Sequence, residues 1–267
     1  MNIYINLNEI INYIEQNLEN KIDYKILAQK LGTNEYTLKR IFPLLTNVSI
    51  SEYIRNRRLS NAGIDLYKTG EKIINIAIKY QYENATAFSR AFEKFHGIKP
   101  SMVRTNPEKL RVFAKIKFEE NITENSNIEY SIIEMDEMTL YGKSIKTNFT
   151  NIGKDAPEFC NKFNNVYEEK YGHFDYALVL YESRFDSQQC EYWISYINKI
   201  EDFKPIVIAK SKWLKFKINS RDGKEIQNVA KIFYEKFLPS TKFKIKPIPE
   251  LEYYHDNITE LLIPIED

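Results

Sequence analysis

Cysteine is nearly absent: the 267 residues hold two, Cys160 and Cys190, and these match no CxxC spacing. A disulfide framework and a cysteine zinc site are thereby excluded, and both residues read as free thiols. Histidine is almost as sparse, and His96, His173 and His255 are too scattered to assemble a metal-ligand pattern. There is no GxSxG elbow and no phosphate-cradling glycine loop, which removes two common signatures of catalysis. No stretch approaches the roughly 20 apolar residues that a membrane helix needs. Residues 1–10 lack the basic start and cleavage site of a signal peptide. The expectation is a cytoplasmic chain with no cofactor, no metal and no membrane partner.

What is present is ordinary in amount and uneven in place. Hydrophobic residues make up 43% and charged residues 28%, enough for two cores of the usual size. Residues 1–107 carry 15 Lys and Arg against 10 Asp and Glu, whereas the remainder carries 23 against 27. The basic charge therefore sits in front, as it would if only that part met a polyanion.

The front third has helical periodicity throughout. Leu7, Ile10, Ile11 and Ile14 share one face; Ile26, Leu27, Ala28 and Leu31 follow, and Gly32 is a stop. Thr33 or Asn34 can cap a helix whose buried stripe is Leu38, Ile41 and Phe42. A longer helix from Ser51 to about Lys68 keeps Ile54, Leu59, Ala62 and Leu66 inward, with Arg55, Arg57 and Arg58 mostly outward. After Gly70 come a short helix with Ile73, Ile76 and Ala77, and a further one, capped by Asn84 and ended by Gly97, with Phe88, Phe92 and Phe95 in its core. This predicts an all-α domain with two helix-turn-helix units. The linking helix, about 27 Å long at 1.5 Å per residue, could set two reading helices near the roughly 34 Å that separates successive major grooves.

Residues 108–127 read as a polar connector with a strand-like middle. From 128 onward the expected order is strand, strand, helix, strand, strand, followed by strand, helix, strand, strand. That predicts an α+β domain of two similar β-α-β-β halves over 128–267.

Particular residues sharpen the picture. Ile76-Ala77, then Lys79-Tyr80-Gln81-Tyr82, then Phe88-Ser89-Arg90-Ala91-Phe92-Glu93-Lys94-Phe95-His96-Gly97-Ile98-Lys99-Pro100-Ser101 and Arg104 resemble the signature of the AraC/XylS family of transcription regulators. The resemblance spans about residues 22–104. It implies a double-stranded DNA partner, with Tyr36, Thr37, Lys39 and Arg40 facing DNA from the first reading helix and Ala85, Thr86, Ser89 and Arg90 from the second. It also implies RNA polymerase as a partner. Two departures stand out. Gln81 replaces the usual glycine, which asks for an unusual backbone angle or a slightly repacked turn there, and Pro43 falls where the first reading helix normally continues, which would end or kink it.

The second domain resembles the GyrI-like effector-binding domains, through Tyr192-Trp193-Ile194, Trp213-Leu214-Lys215-Phe216, Leu251-Glu252-Tyr253 and the run from Thr259 to Ile265. That resemblance implies a small, lipophilic or cationic effector held by a carboxylate among aromatic walls. Glu260 is the first choice for the carboxylate and Glu252 the second; Tyr141, Tyr181, Trp193, Trp213 and Phe216 are candidate walls. Two other readings are an architectural DNA binder without a ligand and a GyrI-like hydrolase fused to a DNA-binding head.

Overall fold

The computed structural model describes residues 3–118, 129–148, 151–181 and 189–266. The chain divides into two compact units. One holds Tyr4–Leu31 with the described part of Ile50–Glu120; the other holds Gly32–Ser49 with the described part of Asn121–Asp267. The segment that carries the first reading helix is thus grouped with the C-terminal sheet.

The helical unit contains α1 (Ile3–Gln16), α2 (Tyr24–Leu31), α4 (Ile50–Thr69), α5 (Ile73–Lys79) and α6 (Ala85–His96), while α3 (Glu35–Thr46) belongs to the sheet unit. Leu59, Ala62, Leu66, Ile76, Ala77, Phe88 and Phe92 form one buried cluster. Each fully buried Leu, Ile or Phe contributes roughly 1.5–3 kcal/mol, so the helical periodicity of the sequence is spent on this core. Gln81 adopts φ +65°, the left-handed angle that its glycine-like position requires, and its side chain donates to the Glu19 carbonyl at 2.6 Å.

Two expectations about this unit are corrected. Arg57 does not face outward: its guanidinium grips Glu15 at 2.7 and 2.9 Å, and Tyr53 donates to the same carboxylate. The strand-like stretch is no strand in its described part. Residues 110–118 cross α1 and α4 held by side chains, with the Phe113 amide on Ser60 Oγ and the Phe118 amide on Asn8. The rest of the connector, 119–127, and Ile128 lie outside the described residues.

His96 shows how closely α4 and α6 approach. Its Nδ1 accepts from the Arg111 amide at 3.0 Å, so its Nε2 carries the proton and donates to the Leu59 carbonyl, also at 3.0 Å. A Cβ at Gly63 would come within 3.0 Å of that imidazole. Burial holds the His96 pKa below the ordinary histidine value.

The sheet unit is a two-layer α+β structure. Eight strands, β1 (Ser131–Met135), β2 (Met138–Asn148), β3 (Tyr176–Tyr181), β4 (Gln189–Tyr196), β5 (Lys204–Ile208), β6 (Ser211–Ile218), β7 (Leu251–His255) and β8 (Ile258–Ile265), make one antiparallel sheet in the order β1-β6-β8-β7-β3-β4-β2-β5. Two helices cover one face. α7 (Ile152–Tyr171) places Phe159 and Phe163 against Tyr192 and Ile194, and α8 (Gly223–Ile232) continues into a π-turn whose Phe233 and Phe237 meet Phe216. The β3–β4 connection at 182–188, expected to be a polar hairpin, lies outside the described residues. β5 was not foreseen: Pro205 weakens its strand pattern, yet a proline fits an edge strand, where its missing N–H breaks no ladder. α3 also departs from expectation, running through Pro43 to Thr46 and closing at Asn47 in the left-handed region.

Gly142 in β2 cannot be replaced without strain, because a Cβ there would meet the Ile194 carbonyl oxygen at 2.4 Å. Gly142→Ala is expected to destabilise the sheet by about 2 kcal/mol, read as faster amide exchange in β2 and β4; unchanged exchange would show that the strands can part at no cost. The helical unit should be acid-sensitive. With the folded His96 pKa lowered, the unfolded chain takes up a proton first, so stability is complete above about pH 6.5 and falls as the pH drops towards the folded value. Melting between pH 7.5 and 5.5 should show that loss in the native chain and less of it in His96→Phe; equal slopes would remove His96 as the cause.

Candidate functional site

Two surfaces carry the residues expected to act. The first is the exposed side of α6. Asn84 caps this helix by accepting from the Ala87 amide at 2.8 Å, and Gly97 ends it at φ +79°. Phe88 and Phe92 turn inward, which leaves Thr86 and Arg90 exposed and Ala85 and Ser89 half-buried. An exposed first helical turn flanked by a guanidinium, hydroxyls and a methyl group suits phosphate and base edges.

The corresponding side chains of α3 are disposed otherwise. Thr37 and Lys39 are buried, and Arg40 and Tyr36 face the sheet. The Arg40 guanidinium binds Glu250 Oε2 through Nη2 at 2.8 Å and Nε at 3.1 Å, and Nη1 lies 3.4 Å from the Tyr181 hydroxyl. The Tyr36 ring meets Tyr181 edge to face at 5.4 Å, and Asn34, the N-cap, donates to the Ile245 carbonyl at 3.0 Å. The buried hydroxyls of Tyr36 and Thr37 have no hydrogen-bond partner among the described residues.

That seat is the second surface, a cleft on the helix-covered face of the sheet. Tyr36, Arg40, Val179, Tyr181, Glu250 and Glu252 line it, together with Leu178 and Leu261, and the space left is about 20 Å³. This is room for about one water molecule. Strand alternation explains the two carboxylates: Glu250 and Glu252 are two residues apart and so share a face. Glu250 also accepts a short hydrogen bond from the Tyr234 hydroxyl. Glu252 is half-buried, accepts from the Tyr254 hydroxyl at 2.7 Å, and pairs with no cation among the described residues. Burial pushes its carboxyl pKa up, against the pull of Tyr254 and Arg40. Burial likewise raises the Tyr181 hydroxyl to about 12, with Arg40 opposing.

The residues named from the sequence for an effector do not all meet here. Glu252 and Tyr181 line the cleft. Tyr141 and Phe216 share its sheet face but pack elsewhere, Tyr141 with the cluster under α7 and Phe216 against Phe233. Glu260, Trp193 and Trp213 alternate onto the opposite face, where Glu260 pairs with Lys215 at 3.0 Å, Trp193 donates to Glu191 at 3.1 Å and Trp213 is fully buried. Glu250 and Tyr234 were not singled out beforehand. The Glu-x-Glu spacing at the start of β7 was the available signal. Among the described residues no cluster of three metal-ligating side chains occurs, and no helix is long and apolar enough to cross a membrane.

Known proteins resemble the chain mainly in its front part. The family model of a helix-turn-helix domain matches residues 27–106. The transcriptional activator AarP of Providencia stuartii is 36% identical over 98 residues, 37% of this chain and 73% of that one. The transcriptional regulator Rob of Salmonella typhimurium is 30% identical over 102 residues, covering 38% of this chain and 35% of its own. Among solved structures, a Staphylococcus aureus MU50 protein assigned to transcription regulation matches 53% of this chain and all of its own at 18% identity and a TM-score of 0.44. That likeness is too slight to bring a function with it. The helix-turn-helix match and the identity to AarP over most of its length lead to one assignment: the chain belongs to the AraC family of DNA-binding transcription regulators.

Proposed function

We propose that this regulator is a cytoplasmic protein that reads double-stranded DNA with two helix-turn-helix segments, α2 with α3 and α5 with α6, and senses a lipophilic cation in the cleft beside Glu252. In this reading the sheet unit consists of two β-α-β-β halves, β2-α7-β3-β4 and β6-α8-β7-β8, with the cleft over the strands where they meet. RNA polymerase is the partner that turns DNA binding into regulation.

The observation that carries the effector reading is Glu252: a half-buried carboxylate with a raised pKa, beside tyrosines and with no ion-pair partner among the described residues. A hydrophobic cation would gain an ion pair and cation–π attraction there. Binding of tetraphenylphosphonium to the full chain should therefore strengthen as the pH rises, because the protonated carboxyl offers no charge. Glu252→Gln should weaken binding and flatten that pH dependence. Equal affinity and an equal pH profile in the two proteins would exclude Glu252 as the charge partner.

For DNA, the exposed Arg90 supports base or phosphate contact from α6. Arg90→Ala should weaken specific binding by about 1–3 kcal/mol, with melting unchanged because the side chain leaves no hole in the core. Undiminished specific binding in that variant would show that Arg90 has no part in recognition.

A further inference from the structure

We infer that the first reading helix is the resident occupant of the effector cleft, so that α3 and a cationic effector compete for one seat and the release of α3 is the output of effector binding. The inference rests on the effector reading above, which supplies the competitor; the seating of α3 stands on geometry alone.

Three attachments hold the helix: Asn34 on the Ile245 carbonyl, Tyr36 on the Tyr181 ring, and Arg40 on Glu250. Two of the three use side chains that the family pattern turns towards DNA. While they are engaged here they cannot enter a groove, since Arg40 has 15% of its side chain exposed and Thr37 and Lys39 are more deeply covered. The guanidinium supplies what a ligand would otherwise bring, a planar cation between a carboxylate and phenol rings.

Size makes the two occupants exclusive. With α3 in place the cleft retains about 20 Å³, whereas sites for drug-sized ligands measure about 300–1,000 Å³. No ring-bearing cation enters without displacing Tyr36 and Arg40. In the closed seat the Tyr36 hydroxyl finds no hydrogen-bond partner among the described residues, whereas departure of the helix would return it to water or to DNA. A contact held chiefly by one ion pair is suited to switching, because a ligand shifts an equilibrium only by its preference for one state.

The test uses the full chain, tetraphenylphosphonium as the cation, and a duplex enriched from a random pool by the native protein. Glu250→Gln leaves every proposed DNA contact intact and loosens the latch. Without any cation it should bind the duplex roughly tenfold more tightly and exchange the amides of residues 35–46 faster. Arg40→Gln should bind tetraphenylphosphonium roughly tenfold more tightly than the native chain, because the occupant has lost its anchor. In the native chain, a saturating amount of the cation should speed exchange across α3, a measurement that needs no variant to fold. Native-like DNA affinity and native-like α3 exchange in Glu250→Gln overturn the latch. Binding of the cation to the native chain with no change at α3 overturns the competition. If the cation binds neither the native chain nor Arg40→Gln while Glu250→Gln still frees α3, the effector reading alone fails and the helix latch stands.

Discussion

A carboxylate withdrawn from water must be neutralised, paired or protonated, and this constraint organises the centre of the sheet unit. Strand alternation at the start of β7 sends Glu250 and Glu252 to the same buried face. Glu250 meets the requirement with a guanidinium from α3 and a phenol from Tyr234. Glu252 meets it with a phenol and a raised pKa. The placement of α3, the narrowness of the cleft and the chemistry of any ligand all follow from how those two charges are settled.

The two helices proposed to read DNA stand in different states. α6 is braced by an aromatic core and presents Arg90 to solvent. α3 is spoken for. A regulator built this way would hold one grip ready and the other in reserve, with the affinity for a two-groove site set by whatever loosens the second.

Much of the fold was legible because it rests on local rules. Asn34 and Asn84 as caps, Gly97 as a stop and the Phe88–Phe92 core follow from spacing alone, and the left-handed angle at Gln81 follows from its glycine-like position. The misses have a common cause: each depends on a partner distant in sequence. Arg57 reads as a solvated side chain from its helix alone, and nothing in the sequence around Arg40 announces its ion pair with Glu250. Glu260 was favoured over Glu252 by position in the last strand. Its facing was decided by register against Lys217 and Tyr253, which no single strand reveals. Pro43 suggests an early end or a kink, but a proline forfeits only one helical hydrogen bond, and α3 runs on through it to Thr46.

The strand order has an effect on how the protein comes together. β1 precedes β2 in the chain yet lies at the far edge beside β6, while β5 precedes β6 yet returns to the edge beside β2. The group β3-β4-β2-β5 can pair fully once Ile208 has been synthesised, whereas β1, the first strand to be made, has no partner until β6 follows. Until β6 arrives, the rim of β1 is exposed to association with other chains.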